Sequence, residues 1–136
     1  MSRTSRLLIL LALMGTIVAV GASPALAIFP QLTTSLSGPT IDGVAPTGDA
    51  KVDQSKLPAQ PLALDVRVKN VNLPEGTVLS VVLTDCGASP VGTITLSRQE
   101  GQLRTTVPGC QVGRQSAIYV NSGSTRILSG GAPWQV

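Results

Sequence analysis

The 136-residue chain has no histidine, three aromatic residues, two cysteines and a charged fraction of only 12%. Without histidine, a Ser-His-Asp or Cys-His catalytic centre is excluded, as are His-ligated zinc or copper and a histidine pH switch. Phe29, Tyr119 and Trp134 are too few for the ring platforms on which sugars and single-stranded nucleic acids stack. No basic cluster follows Arg6: the remaining Lys and Arg are spread from Lys51 to Arg126. Binding to nucleic acid through phosphate neutralisation is therefore not expected. The length suits one domain.

The first feature present is an address. Arg3 and Arg6 precede residues 7–20, an uncharged and mostly aliphatic run of 14 residues. Gly21, Ala22, Ser23 and Pro24 break it, and Ala25-Leu-Ala27 puts small residues at the −3 and −1 positions of a cleavage site. This is the layout of a secretory signal peptide, with 1–27 removed after Ala27 (Ala22 is the fallback) and 28–136 left as a single domain. The run is short for a membrane span, which needs roughly 20 apolar residues. The exported chain keeps eight of the ten basic residues and all seven acids, so its side-chain charge falls from +3 to +1. It has no second long apolar run, and no transmembrane span is expected in it.

Cys86 and Cys110 make an even count in an exported chain and are expected to form one disulfide. The CxxC spacing of a redox pair is absent.

Between residues 28 and 61 five prolines and three glycines break any helical period. Short extended pieces fit at Gln31–Ser37 and 48–54. From Leu62 the period is two: Leu62, Leu64, Val66 and Val68 alternate with Ala63, Asp65, Arg67 and Lys69. A β-branched run over 77–84 predicts a central strand covered on much of both faces. It follows a turn with Pro74 at i+1 and Gly76 at i+3. Further strands are predicted over 91–98, 103–107, 115–121 and 125–129, with a hairpin turn over 99–102. No segment offers a convincing helix. The expected fold is all-β, an immunoglobulin-like antiparallel β-sandwich of about seven strands with one disulfide. The chain runs out along one strand and back along another between the cysteines, so both fall at one end of the sheet.

From about residue 38 to 131 the chain resembles a class of small secreted bacterial β-domains. The resemblance is carried by Gly38-Pro-Thr-Ile-Asp-Gly-Val44, Val71-Asn-Leu-Pro-Glu-Gly-Thr-Val-Leu-Ser80, Val91-Gly-Thr-Ile-Thr-Leu-Ser97 and Ile127-Leu-Ser-Gly130. It implies export and a sandwich-like fold and carries over no activity. The cysteines are not part of that pattern. Cys110-Gln-Val-Gly113 is similar to a short stretch of the small actinobacterial chromoprotein carriers, which are also exported immunoglobulin-like sandwiches. Those hold two disulfides, and this chain has cysteines for one.

Candidate sites compete with ordinary structural readings. Leu73-Pro-Glu-Gly-Thr77 has a sortase signal's residues with the last two exchanged, and reads as a turn. Asp42, Asp49 and Asp53 carry oxygen ligands for calcium without an EF-hand loop. Ser55-Lys56 lacks an SxxK or GxSxG context for hydrolysis. Arg67, Lys69, Arg98, Arg104, Arg114 and Arg126 would bind an acidic polymer only if the fold brought them together. The threonines at 93, 95, 105, 106 and 125 suit outward strand positions, although Thr105 falls in the inward set with Leu103 and Val107. No cofactor, metal or catalytic residue is expected.

The expected role is a non-enzymatic structural or binding domain of the cell envelope or extracellular space, facing a protein or envelope partner. The loops at the cysteine end are the expected surface, through Asp85, Gly87, Ser89, Pro90, Pro108 and Gln111. An exposed edge strand is an equally physical mode. Tyr119 should point away from Ile118 and Val120, and Trp134 either packs over an edge or marks a contact. The rival roles are a small-ligand carrier and a protease inhibitor.

Overall fold

The computed structural model describes residues 31–55 and 60–136; the expected signal segment and its cleavage site lie outside the described residues. Eight strands occur among them: β1 (Gln31–Ser37), β2 (Thr47–Asp53), β3 (Leu62–Lys69), β4 (Val78–Leu83), β5 (Gly92–Thr95), β6 (Gly101–Val107), β7 (Ala117–Ser122) and β8 (Thr125–Gly131). The expected count of about seven is corrected to eight, because both extended pieces of the Pro-rich segment are full strands. One 3-10 turn, Thr84–Cys86, is the only helical element among the described residues.

The strands form one antiparallel sheet in the order β5-β4-β7-β8-β1-β2-β3-β6, curled nearly into a barrel. Its core comes directly from the period of two. On β3, Leu62, Leu64, Val66 and Val68 are buried while Ala63, Arg67 and Lys69 are exposed. Leu32 and Leu36 of β1, Val52 of β2, Leu79, Val81 and Leu83 of β4, and Ile118 and Val120 of β7 fill the same interior. Each fully buried aliphatic side chain contributes about 1.5–3 kcal/mol relative to exposure.

Three local expectations are corrected. β4 is central in order, yet only one of its faces is buried: Val78 is 53% exposed and Val82 half-buried. The turn before β4 runs from Pro74 to Thr77, with Thr77 N–H donating to Pro74 O (3.1 Å). Gly76 therefore takes the i+2 position, whose φ of 81° suits glycine. The hairpin after β5 turns on Arg98 and Gln99 rather than on 99–102. Both have positive φ, 55° and 65°, and Ser97 and Glu100 exchange backbone hydrogen bonds around them. Two positive-φ central residues give the primed turn that matches strand twist.

Two places in the curl lack a full ladder. β1 and β8 share one register pair, Ser37 with Ser129. Past it Gly130 still lies close against Ser35 and Gly131 N–H donates to Thr34 Oγ1 (2.9 Å), and the C-terminal tail then pairs with β1. There Thr33 N–H donates to Gln135 O (2.9 Å) and Gln135 N–H to Thr33 O (2.7 Å). The second place lies between β5 and β6, the two ends of the strand order. β5 pairs with β4 and β6 with β3, and the turn at 98–99 joins them. Inward-facing Gly92 lies against Leu103 so closely that a Cβ would sit 2.6 Å from Leu103 Cδ2. The opposite end of this seam is closed by Cys86 and Cys110.

Candidate binding surface at the disulfide end

Cys86 follows β4 and Cys110 follows β6, and they are bonded with Cα atoms 5.3 Å apart. Side-chain to backbone hydrogen bonds then fix the two loops beside them. Asp85 Oδ2 accepts from Gly113 N–H at 3.0 Å. Thr84 Oγ1 accepts from Ala117 N–H at 2.9 Å and lies 3.3 Å from Ser116 Oγ. Gln54, just past β2, is 92% buried by its 8% exposure and acts as a strand surrogate. Its Nε2 donates to Val112 O at 2.7 Å and its Oε1 accepts from Val112 N–H at 2.9 Å. The Cys110 loop is thus tied to β2, to the residues after β4 and to β7 without a strand ladder of its own.

Gln54 went unnoticed in the sequence because a glutamine at the end of an extended piece looks solvated. Its signal is weak: position 54 keeps the parity of buried Ala50 and Val52. Replacing Gln54 with Leu leaves Val112 N–H and C=O without partners in a buried place. The expected cost is about 1–3 kcal/mol, read as a lower urea midpoint with faster exchange of the Val112 amide. A midpoint equal to the wild type would show that the clamp adds no stability.

The residues expected at this surface divide. Gly87, Ser89, Pro90 and Pro108 are exposed on the two clasped loops. Asp85 is exposed but engaged with Gly113. Gln111 is half-buried, and its Nε2 is buried without a hydrogen-bond partner. Tyr119 projects outward from β7 but is half-buried, because the Arg126 guanidinium lies 3.4 Å from its ring centroid. Trp134 is fully buried, so it packs and offers no contact surface. Its indole N–H donates to Ser116 O (2.9 Å), its backbone N–H donates to Arg114 O (2.8 Å), and Arg114 Nε donates to Trp134 O (3.2 Å).

The fold separates the other candidates. Asp49 and Asp53 lie on one strand with Lys51 between them, and Lys51 Nζ is 3.8 Å from Asp53 Oδ2. No group of three or more metal-ligating His, Cys, Asp or Glu side chains converges among the described residues. Arg67, Lys69 and Arg104 share the outer side of β3 and β6, but with acids interleaved. Lys51, Asp65 and Arg104 stand in one cross-strand row. Asp65 receives Arg104 Nε at 3.4 Å and Gln102 Nε2 at 2.9 Å. Arg98 sits on a turn, Arg114 beside Trp134 and Arg126 on β8. Alternating sign gives this face no net anion-binding field. Three open depressions, of about 610, 440 and 270 Å³, lie along this outer face, the largest over Ala63 between Asp53, Asp65 and Arg104.

No known protein family, curated protein or solved structure matches the chain.

Proposed function

We propose that this chain is an exported, non-enzymatic binding domain that presents the loops at its disulfide end to a protein or envelope partner. The observation that carries the reading is the pre-ordering of those loops. The bridge, the Gln54 clamp, Asp85 and Thr84 hold exposed Gly87, Ser89, Pro90 and Pro108 on a fixed base. Binding loses less conformational entropy when the loops are already ordered. The disulfide is compatible with export, as is the N-terminal address in the sequence.

The sandwich description belongs to the same reading. The strand order divides into β5-β4-β7-β8 and β1-β2-β3-β6, joined on one side by a single register pair and on the other by a turn. Gly92 and Leu103 meet across the interior between these halves. Two four-stranded halves joined so sparsely support a sandwich related to the immunoglobulin type, and so the likeness to small secreted β-domains.

The test is a pull-down from envelope extract with the wild type and with a Ser89→Arg, Pro108→Arg double variant. Both positions are exposed, so the variant is expected to keep its fold. A partner retained by the wild type and lost by the variant is the expected result. Equal retention by both, or no partner above an unrelated sandwich control, overturns the assignment.

A further inference from the structure

The chain has one Asp-Gly pair, Asp42-Gly43, and no Asn-Gly pair. Asp42 and Gly43 are the central residues of a tight turn outside the strands. Ile41 N–H donates to Val44 O (2.8 Å) and Val44 N–H to Ile41 O (3.1 Å), with φ of 48° at Asp42 and 80° at Gly43. Such a turn requires positive φ at both central residues, and Asp-Gly supplies it. No ladder extends from it: Ile41 and Val44 form an isolated pair. Asp42 and Gly43 are both exposed, and a Cβ on Gly43 would meet nothing within 4 Å. Among the described residues, neither the Asp42 carboxylate nor the Gly43 N–H is engaged in a hydrogen bond or ion pair. The carboxyl carbon of Asp42 and the nitrogen of Gly43 are therefore close along the chain, open and unengaged. Opening the turn breaks local bonds and leaves every strand pair in place.

We propose that Asp42 is a modification site, at which the chain isomerises to isoaspartate. In the acid form of Asp42 the Gly43 nitrogen attacks Cγ. The N–Cγ bond forms, the Cγ–OH bond breaks, and the hydroxyl and the amide proton leave together as water, giving a cyclic imide. Water then adds to one of the imide carbonyls. Addition at Cγ restores aspartate. Addition at the Asp42 backbone carbonyl breaks its bond to the Gly43 nitrogen and leaves isoaspartate, whose main chain runs through Cβ and Cγ. One water leaves and one enters, so the step needs no oxidant, cofactor or enzyme. The site is selected by its successor and by its freedom. Glycine has no side chain to shield its nitrogen. Asp49, Asp53 and Asp65 are followed by Ala50, Gln54 and Val66 and lie in paired strands. Asp85 precedes Cys86 and is held by the Gly113 N–H. Asn70, Asn72 and Asn121 precede Val71, Leu73 and Ser122, which do carry side chains. The product lengthens the turn by a methylene group. That breaks the pairing of Ile41 with Val44 and displaces Ile41 O, which accepts from Asn72 Nδ2 at 3.4 Å. This end of the sheet lies opposite the disulfide, so the loops at Cys86 and Cys110 stay as they are.

The experiment incubates the disulfide-bonded protein at neutral pH in heavy-oxygen water, then digests it and locates the label by mass spectrometry of fragment ions. Each passage through the imide installs a heavy oxygen at residue 42, and chromatography separates isoaspartate from aspartate. The folded wild type is expected to gain label and isoaspartate at Asp42 and not at Asp49, Asp53, Asp65 or Asp85. The same chain, reduced and held in urea, reports the reaction without the turn. No label at Asp42 in the folded protein, whatever the urea sample shows, overturns the proposal, as does equal label at all the aspartates. Asp42→Asn keeps the turn and releases ammonia, a better leaving group than water, so the same products are expected sooner. No acceleration in that variant overturns the imide route. In the isomerised fraction the Ile41 and Val44 amides are expected to lose protection from hydrogen exchange, while those of Val112 and Gly113 keep theirs. Retained protection at 41 and 44 overturns the structural consequence. The loop surface is tested separately, since Ser89 and Pro108 lie at the other end of the sheet.

Discussion

Replacing Trp134 with Ala is expected to cost about 4 kcal/mol and to lower Tm by about 20 °C for a domain of this size. Trp134 is the only tryptophan and is fully buried. Its removal leaves a cavity that a short tail cannot collapse to fill, and it takes away the indole donor to Ser116 O. The effect should spread along two connections. Trp134 holds the 114–116 segment through Arg114 and Ser116, and its neighbour Gln135 pairs with Thr33 beside β1. Trp134→Phe separates the contributions: it keeps most of the apolar volume and drops the hydrogen bond, so a loss nearer 1–2 kcal/mol is expected. Thermal unfolding followed by circular dichroism reads both variants. A Trp134→Ala protein within a few degrees of the wild type would mean that the tail is not part of the folded unit.

Replacing both cysteines with serine is expected to remove about 3 kcal/mol, from the loop-entropy argument for a closed loop of 24 residues' separation. With a urea m-value of about 1–3 kcal/mol/M, the midpoint should fall by about 2 M. The structural consequence is local as well as global. The bridge closes one end of the seam between β5 and β6, and the turn at 98–99 closes the other. Without it, the Val112 and Gly113 amides, bonded to Gln54 and Asp85, should exchange faster than amides of the β2–β3 ladder. A double serine variant with an unchanged midpoint and unchanged protection at 112 and 113 would remove the bridge from any account of the loops' rigidity. On the proposed binding role, retention of the partner in the pull-down should fall with that protection, because the exposed loop residues would then have to be ordered on binding.

Much of the fold was legible because strand structure repeats over two residues. Leu62, Leu64, Val66 and Val68 declare one buried face whatever they pack against. The pattern failed where the backbone departs from that repeat. Ile127 and Leu128 are consecutive and both buried, since a bulge between Val120 and Asn121 shifts the β7–β8 register. The continuous Val and Leu run of β4 suggested two covered faces, but nothing covers Val78. Strand composition reports what a face tolerates, not what lies over it. At the candidate surface the cysteines were legible and their end of the sheet was correctly placed. Gln54 was not, because its role depends on a backbone 58 residues away along the chain.

The sequence by itself determined an all-β chain, the approximate strand positions, the inward residues of most strands and the pairing of two cysteines. These follow from local periodicity, turn chemistry and an even cysteine count. Only the tertiary structure decided the strand order, the single-pair contact between β1 and β8 and the burial of Trp134. Those depend on which distant segments close on one another. Such a choice is set by packing and register summed over the whole interior, and no short window of sequence contains it.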